Sequence, residues 1–259
     1  MIFSNLYKKD SYTIPESYVI NSIYEYDISK ANINILYEKG IIDDNQYNTL
    51  YNSDKKSREI SVGMMQKNVS VARALSEGFC EFRRRLFESN GIQDNEIVSI
   101  KKDAVFVTRP LINTVFGRVE FKEKNMFNMM IKLNRLEIYY GVNSVTREHI
   151  VDIKGIKDEK IDKYENYFFN ILINVFCLLV SHLYVQALDL INKYIQAYVN
   201  LELDVTVYRE FNSTYMYRIK NSLYMSECVL DIHKGCLDIS YNLNILLQLK
   251  MLIINMYYG

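Results

Sequence analysis

The spacing of apolar residues changes once along the chain, near residue 157. Before that point, short segments combine β-branched and aromatic residues with alternating polar positions, which is typical of strands. The predicted strands are Ser22 to Ile28, Glu96 to Ile100, Ala104 to Thr108, Arg118 to Phe121 and Met129 to Tyr140. Beyond residue 157 the spacing is mostly helical, so the sequence predicts two regions, 1–157 and 158–259.

Two helices are predicted in the first region. The segment Ser29 to Lys39 follows a strand directly, and Gly40 is a natural stop for it. The segment Ser57 to Glu88 carries one apolar stripe at steps of three, four and seven residues, which predicts a single amphipathic helix. Cationic residues off that stripe fit either a solvated face or a face directed at phosphate groups. They are Arg58, Lys67, Arg73 and the run Arg83-Arg84-Arg85.

The second region is predicted to hold a long helical segment, 158–198, and a closing apolar helix, Asn242 to Tyr257. The stretch Tyr167 to Ala187 approaches the length of a membrane span, but several polar residues interrupt it. Polar groups without partners are costly in lipid, so a buried core helix is favoured over a membrane span. The predicted fold class is therefore α+β: an antiparallel sheet with packed helices, followed by a mainly helical block.

Composition and charge restrict the classes of protein further. A chain of 259 residues with 49% hydrophobic residues can bury a full core. Its 31 basic and 31 acidic residues balance, so binding of nucleic acid would require a local basic face. The cysteines Cys80, Cys177, Cys228 and Cys236 show no paired spacing, and the N-terminus lacks the apolar core of a signal peptide. We therefore expect a cytoplasmic protein with reduced thiols and no membrane partner.

The sequence gives only weak support for several common types of metal, catalytic or phosphate-binding site. Cys228, His233 and Cys236 lie close in sequence, but a fourth zinc ligand is missing, so a thiol pair near a chance histidine is favoured. His149 and His182 lie beside no Ser or Cys pattern of an acyl-transfer triad, although neighbours in space remain open. No glycine-rich phosphate loop occurs, which disfavours an ATPase or a nicotinamide enzyme.

Two aspartates carry the sharpest signal. Asp27 ends the predicted strand SIYEYDI where it passes into a helix, and Asp103 lies in EIVSIKKDAVFVT, at the predicted tip of a tight β-hairpin. Phosphoryl transfer by two divalent ions requires at least two carboxylates on neighbouring strands. The structural alternative is that Asp27 caps a helix and Asp103 is a solvated turn residue.

These segments resemble the palm of family B template-dependent DNA polymerases, in a compact, phage-type form. YDISKANINIL is similar to the first palm motif, and SIKKDAVFVT is similar to the third, an Asp-bearing hairpin. The helix between them occupies the position of the fingers helix. KLNRLEIYYG and HIVDIKGI look like the segment that contacts the primer and leads into the thumb. The sequence departs from the family in its single Asp in the third motif, the absent Tyr-Pro pair and the absent exonuclease region.

The resemblance implies a role for each matching residue. Asp27 and Asp103 would be the catalytic ligands of Mg²⁺ or Mn²⁺, Arg58 and Lys67 would bind the incoming triphosphate, and Asn32 would contact the sugar. Four cationic residues would bind the nucleic acid. They are Lys102, Lys132, Arg135 and Lys154.

Two functions follow as hypotheses. The first is a compact template-dependent nucleotidyltransferase, polymerase-like or primase-like, that takes nucleoside triphosphates and a primer-template. Its size and zero net charge imply a partner subunit or a specialised role such as priming. The second is a non-catalytic interaction protein of viral origin, which binds a protein partner through its helical half. Substitution of Asp103 by Asn would abolish incorporation under the first hypothesis and change nothing functional under the second.

Overall fold

A computed structural model of the chain describes residues 3–133, 136–143, 145–154, 167–202, 217–219, 222–224 and 240–258. Two compact units make up the chain. Unit 1 comprises Met1–Pro15 and Asn21–Phe127, and unit 2 comprises Glu16–Ile20 and Asn128–Gly259.

Strands and helices come in separate runs along the chain, which is an α+β arrangement. The helices are α1 (Ala31–Glu38), α2 (Asp44–Asn52), α3 (Lys55–Met65), α4 (Val69–Asn90), α5 (Tyr167–Val180), α6 (Tyr184–Val199) and α7 (Ser240–Tyr258). The strands are β1 (Ser11–Thr13), β2 (Tyr18–Ile28), β3 (Ile97–Lys101), β4 (Ala104–Val107), β5 (Val115–Phe116), β6 (Val119–Leu133), β7 (Leu136–Val142), β8 (His149–Lys154), β9 (Tyr217–Ile219) and β10 (Ser222–Tyr224). The predicted fold class, an α+β protein with an antiparallel sheet, is confirmed.

Unit 1 is built on strands in the order β1-β3-β4-β2-β6, and β5 pairs with β6. Strand β3 pairs antiparallel with β1 and β4, as β2 does with β4 and β5 with β6. Strands β3 and β4 form the predicted hairpin, with Lys101 opposite Ala104 and only Lys102 and Asp103 in the turn. This arrangement places the hairpin next to β2, the strand that ends at Ile28.

The core of unit 1 lies between this sheet and helices α1 and α4. Tyr26 and Ile28 of β2 face the core, so Glu25 and Asp27 point to the opposite face of the strand. Helix α4 contributes Leu75, Phe79, Phe82 and Leu86, which recur at helical spacing. Helix α1 follows β2 after only two residues, as predicted, and Gly40 ends it in the left-handed conformation with a φ of +66°.

The single helix predicted for Ser57 to Glu88 is wrong, because two helices occupy this segment. Residues 66–68 separate α3 from α4, and Asn68 caps α4 by accepting a hydrogen bond of 3.0 Å from the Ser70 amide. Ile60 and Met64, which belong to the predicted stripe, are 58% and 61% exposed. The apolar face of α4 therefore does not extend into α3.

Unit 2 contains the end of β6 followed by β7 and β8, and its described helices are α5, α6 and α7. One apolar core joins these strands and helices, with Ile138, Ile153, Phe176, Ile191 and Leu249 among its members. The stretch Tyr167 to Ala187 is divided between α5 and α6, because His182 adopts a left-handed φ of 57° between them. Within the described residues, no helix combines the length and the apolar character needed to cross a membrane.

The division between the units differs from the predicted boundary at residue 157. It falls between Phe127 and Asn128, because β7 and β8 share a core with the C-terminal helices. The predicted strand Met129 to Tyr140 is also two strands, β6 and β7, with Met129 opposite Tyr140.

Candidate active site

Asp27 and Asp103 lie on neighbouring strands of unit 1. Asp27 is opposite Ala104 in the antiparallel pairing of β2 with β4. The amide of Ile28 donates a hydrogen bond of 3.1 Å to the carbonyl of Asp103, so the end of β2 is fastened to the tip of the hairpin. The backbone therefore brings the two predicted metal ligands together.

Arg83, a buried arginine of α4, forms a hydrogen bond with the backbone of the hairpin tip. The side chain of Arg83 is 2% exposed and donates to the carbonyls of Tyr7 at 2.7 Å and Lys102 at 2.8 Å. It also donates to Asp10 at 2.9 Å. Arg83 is therefore neither a solvated residue nor one directed at phosphate groups, which were the two alternatives for the run Arg83-Arg84-Arg85. It supports the turn that carries Asp103.

Helix α1 begins beside Asp27 with an unusual backbone conformation. Lys30, which precedes the helix, has a φ of 50° and a ψ of 41°, and it makes no side-chain cap hydrogen bond. A left-handed lysine costs about 1–2 kcal/mol, so neighbouring contacts must hold it. Asn34 donates to the Ser29 carbonyl at 2.7 Å, and the Tyr47 hydroxyl donates to Asn34 at 2.9 Å. The helix N-terminus is fixed. The amides of Ile33 and Asn34 donate to the Lys30 carbonyl at 3.1 and 3.2 Å, so an anion at this end would have to bind the amides of Ala31 and Asn32.

A cleft of about 310 Å³ opens at this point, and we call it the Asp27–Asp103 cleft. Besides apolar residues of α1 and α3, it is lined by six charged side chains. They are Asp27, Asp103, Glu59, Lys30, Lys55 and Arg58. Three positive and three negative charges leave the lining formally neutral. Two divalent cations would raise the charge of the cleft to about +4, which would balance the negative charge of a fully ionised nucleoside triphosphate.

Asn32 also lines the cleft, and its side-chain oxygen is unusual. Within the part of the chain that the structure describes, the buried Oδ1 atom of Asn32 has no hydrogen-bond partner. A buried oxygen without a donor costs about 1–3 kcal/mol. Because the atom is buried, a ligand hydroxyl can reach it only if the Asn32 side chain turns towards the cleft.

The two residues predicted to bind triphosphate have different positions. Arg58 lines the cleft, and its guanidinium also donates to the Ser53 carbonyl at 3.2 Å. Lys67 is exposed in the turn after α3 and is not among the residues that line the cleft. Lys55, which the sequence analysis missed, lines it instead. Lys55 precedes Arg58 by about one helical turn, and this spacing could have identified it from the sequence.

The predicted nucleic-acid contacts lie elsewhere. The Lys102 ammonium packs over the Phe79 ring, 5.0 Å from its centroid. Lys132 lines a groove of unit 2, and Lys154 forms an ion pair of 2.7 Å with Asp152. Arg135 lies outside the described residues, as do Cys228, His233 and Cys236.

The cleft offers a limited set of metal ligands. In the described ranges, no group of three His, Cys, Asp or Glu side chains is arranged to hold a metal ion. Mg²⁺, however, commonly binds through one or two carboxylates and completes its shell with water and substrate phosphates. Asp27 and Asp103 supply two carboxylates to the cleft, so this pair fits an ion that completes its shell with water and substrate phosphates.

A second polar cluster lies in unit 2. The Tyr140 hydroxyl is 2.9 Å from His149 Nδ1 and 2.9 Å from Cys177 Sγ, and the last two atoms are 3.9 Å apart. Burial raises the pKa of Tyr140 well above its ordinary value, and the hydrogen bond with Cys177 raises it further. The direct contact between the thiol and the imidazole is long, and the tyrosine hydroxyl makes the shorter hydrogen bond to each of them.

The fold and the cleft define an α+β protein with a carboxylate- and cation-lined site at adjoining strand ends. Over residues 1–255, the chain matches the family described as Bacteriophage PBS1 gene 130 protein. It belongs to that family, and membership in a bacteriophage family indicates a viral origin. None of the curated proteins matches the chain.

Proposed function

We propose that the protein is a compact nucleotidyltransferase whose substrate is a nucleoside triphosphate bound in the Asp27–Asp103 cleft. One observation carries the proposal: Asp27, Asp103, Asn32 and Arg58 line the same cleft. Each was singled out from the sequence for one part of this chemistry, and they come from separate segments of the chain. The resemblance to a polymerase palm is part of this proposal.

Each residue would have a distinct task. Asp27 and Asp103 would hold divalent cations, which, when bound, activate an attacking hydroxyl and neutralise charge on the triphosphate. The amides of Ala31 and Asn32 at the start of α1 would bind phosphate oxygens, helped by the positive end of the helix dipole. Arg58 would donate to the same phosphate group, and Asn32 Oδ1 would accept a hydrogen bond from a sugar hydroxyl.

The proposal is tested by nucleotide incorporation with the full-length protein. Primed DNA and RNA templates would be incubated with labelled dNTPs or NTPs and either Mg²⁺ or Mn²⁺. Asp103→Asn removes a charge at the hairpin tip and should lower incorporation by about two orders of magnitude or more. Asp94→Asn is the matched control, because Asp94 is an exposed residue of the same unit and does not line the cleft.

The non-catalytic alternative is favoured by a different surface. Leu247 and Met251 of α7 are exposed beside a groove of about 380 Å³ in unit 2, which Lys132 also lines. Exposed apolar side chains next to a groove are typical of sites that bind another protein. If the folded wild-type protein incorporates no nucleotide on any template, the catalytic proposal fails and this alternative replaces it.

A further inference from the structure

Lys124 of β6 lies beside the carboxylates of β2. Its ammonium is 3.9 Å from Glu25 Oε1 and 3.9 Å from Asp27 Oδ2. Glu25 and Asp27 are alternate residues of one strand, so their side chains point to the same face. A single positive charge therefore faces both a proposed metal ligand and a second carboxylate.

Glu25 stabilises the Lys124 ammonium in this position. Its side chain is 1% exposed, and Asn125 donates a hydrogen bond of 2.7 Å to its Oε2 atom. A buried carboxylate is stable only with hydrogen bonds or a nearby cation, so Glu25 favours a position of the Lys124 ammonium close to β2. Lys124 is 54% exposed, and its flexible stem allows the ammonium to withdraw towards solvent.

We infer that Lys124 is a built-in counter-ion that competes with a divalent cation for Asp27. The inference rests on the metal ligands of the proposed function. A cation bound to Asp27 and an ammonium about 4 Å from the same carboxylate repel each other, so binding of the cation displaces Lys124. The cation alone then binds weakly. It binds more tightly together with a triphosphate, whose negative charge offsets this repulsion.

Direct binding of Mn²⁺ to the full-length protein tests the inference without an activity assay. Free Mn²⁺ is measured by electron paramagnetic resonance in a titration without nucleotide. Lys124→Met should tighten Mn²⁺ binding about two- to five-fold, the range expected for loss of one partly exposed charge pair. Lys124→Arg keeps the charge and should leave the affinity within about two-fold of wild type.

Lys122→Met is the matched control. Lys122 lies two residues earlier on β6, and its ammonium pairs with Glu120 at 3.3 Å, so its removal should not change the affinity. Asp27→Asn should weaken the binding that Lys124→Met strengthens. Wild-type protein that binds no Mn²⁺ beside a Lys124→Met variant that does would also support the inference.

The inference is overturned if Lys124→Met binds Mn²⁺ no more tightly than wild type, or if neither protein binds it. It is also overturned if Lys124→Arg tightens binding as much as Lys124→Met does, because charge would then not be the cause. The proposed function is tested separately by incorporation. Mn²⁺ binding that follows these predictions without incorporation would reject the enzyme and retain the counter-ion.

Discussion

The guanidinium of Arg83 donates a 2.8 Å hydrogen bond to the backbone carbonyl of Lys102, the residue immediately before Asp103. The tip of the β3–β4 hairpin is therefore fastened to helix α4. The turn contains no glycine, and Lys102 has a positive φ of 25°. The buried arginine stabilises a strained turn, and this determines where the Asp103 carboxylate lies.

Arg83→Met should destabilise the protein strongly. It removes the hydrogen-bond donor to the carbonyls of Tyr7 and Lys102, so the expected loss is about 2–4 kcal/mol in the free energy of unfolding. Urea denaturation at neutral pH measures it. Arg84→Met is the control within the same run, because Arg84 is 40% exposed and pairs with Glu88 one turn away. Its loss should stay below about 0.5 kcal/mol, and equal losses would contradict a special role for Arg83.

Arg58 and Lys67 should differ in their effect on nucleotide affinity. Arg58→Gln removes a cation that lines the cleft, and we expect KM for the nucleotide to rise about ten-fold or more. Lys67→Gln removes an exposed cation outside the lining, and KM should change by less than about two-fold. Steady-state incorporation kinetics measure both. Similar increases in KM for the two variants would favour the assignment made from the sequence, in which both residues bind the triphosphate.

The contact between α1 and α4 depends on Gly78. A methyl group at this position would clash with the Ile35 side chain, which is fully buried and cannot move aside. Gly78→Ala should therefore lower the free energy of unfolding by about 1–3 kcal/mol. Gly63→Ala is the matched control, because nothing lies within 4 Å of its added methyl group in α3. That variant should be neutral or more stable by up to about 1 kcal/mol, since alanine favours a helix.

Glu81 should contribute to acid sensitivity. The hydrogen bond from Lys39 holds the pKa of Glu81 below its ordinary value of 4.5, and partial burial opposes this shift. The folded-state pKa is depressed, so the stabilisation is complete above about pH 4.5 and is lost as pH falls through the lowered pKa. Glu81→Gln should lower stability at pH 7 by about 1 kcal/mol or less and flatten its decline in acid.

Urea denaturation at pH 7 and in acid, compared with Glu77→Gln, measures this effect. Glu77 pairs with Arg73 on the exposed face of the same helix. Identical pH profiles for wild type and Glu81→Gln would contradict the assignment.

Local patterns predicted much of the backbone framework around the candidate site. The alternation in β2, the helix that follows it and the hairpin with Asp103 at its tip are encoded within a few residues each, and all three are observed. Helix α2 was missed because its composition is polar. Its start nevertheless carries a signal, the reciprocal capping box between Asp43 and Gln46.

Features that depend on distant contacts could not be predicted. Arg83 cannot be told apart from Arg84 and Arg85 in the sequence. It is buried only because α4 packs against the hairpin. Lys124 is a polar residue in a long strand, and its position beside Asp27 follows from a pairing between segments distant in the sequence. The break at Asn68 replaced a continuous helix because a local cap outweighed an imperfect apolar stripe.

A crystal structure of the protein with Mn²⁺ and a non-hydrolysable nucleoside triphosphate shows directly whether Asp27 and Asp103 share metal ions beside a nucleotide. We expect anomalous density for Mn²⁺ within about 2.3 Å of carboxylate oxygens of both Asp27 and Asp103. We also expect phosphate oxygens at the N-terminal amides of α1 and a sugar hydroxyl at Asn32 Oδ1. Mn²⁺ and nucleotide bound away from the cleft, or no binding at saturating concentrations, would contradict the proposed function.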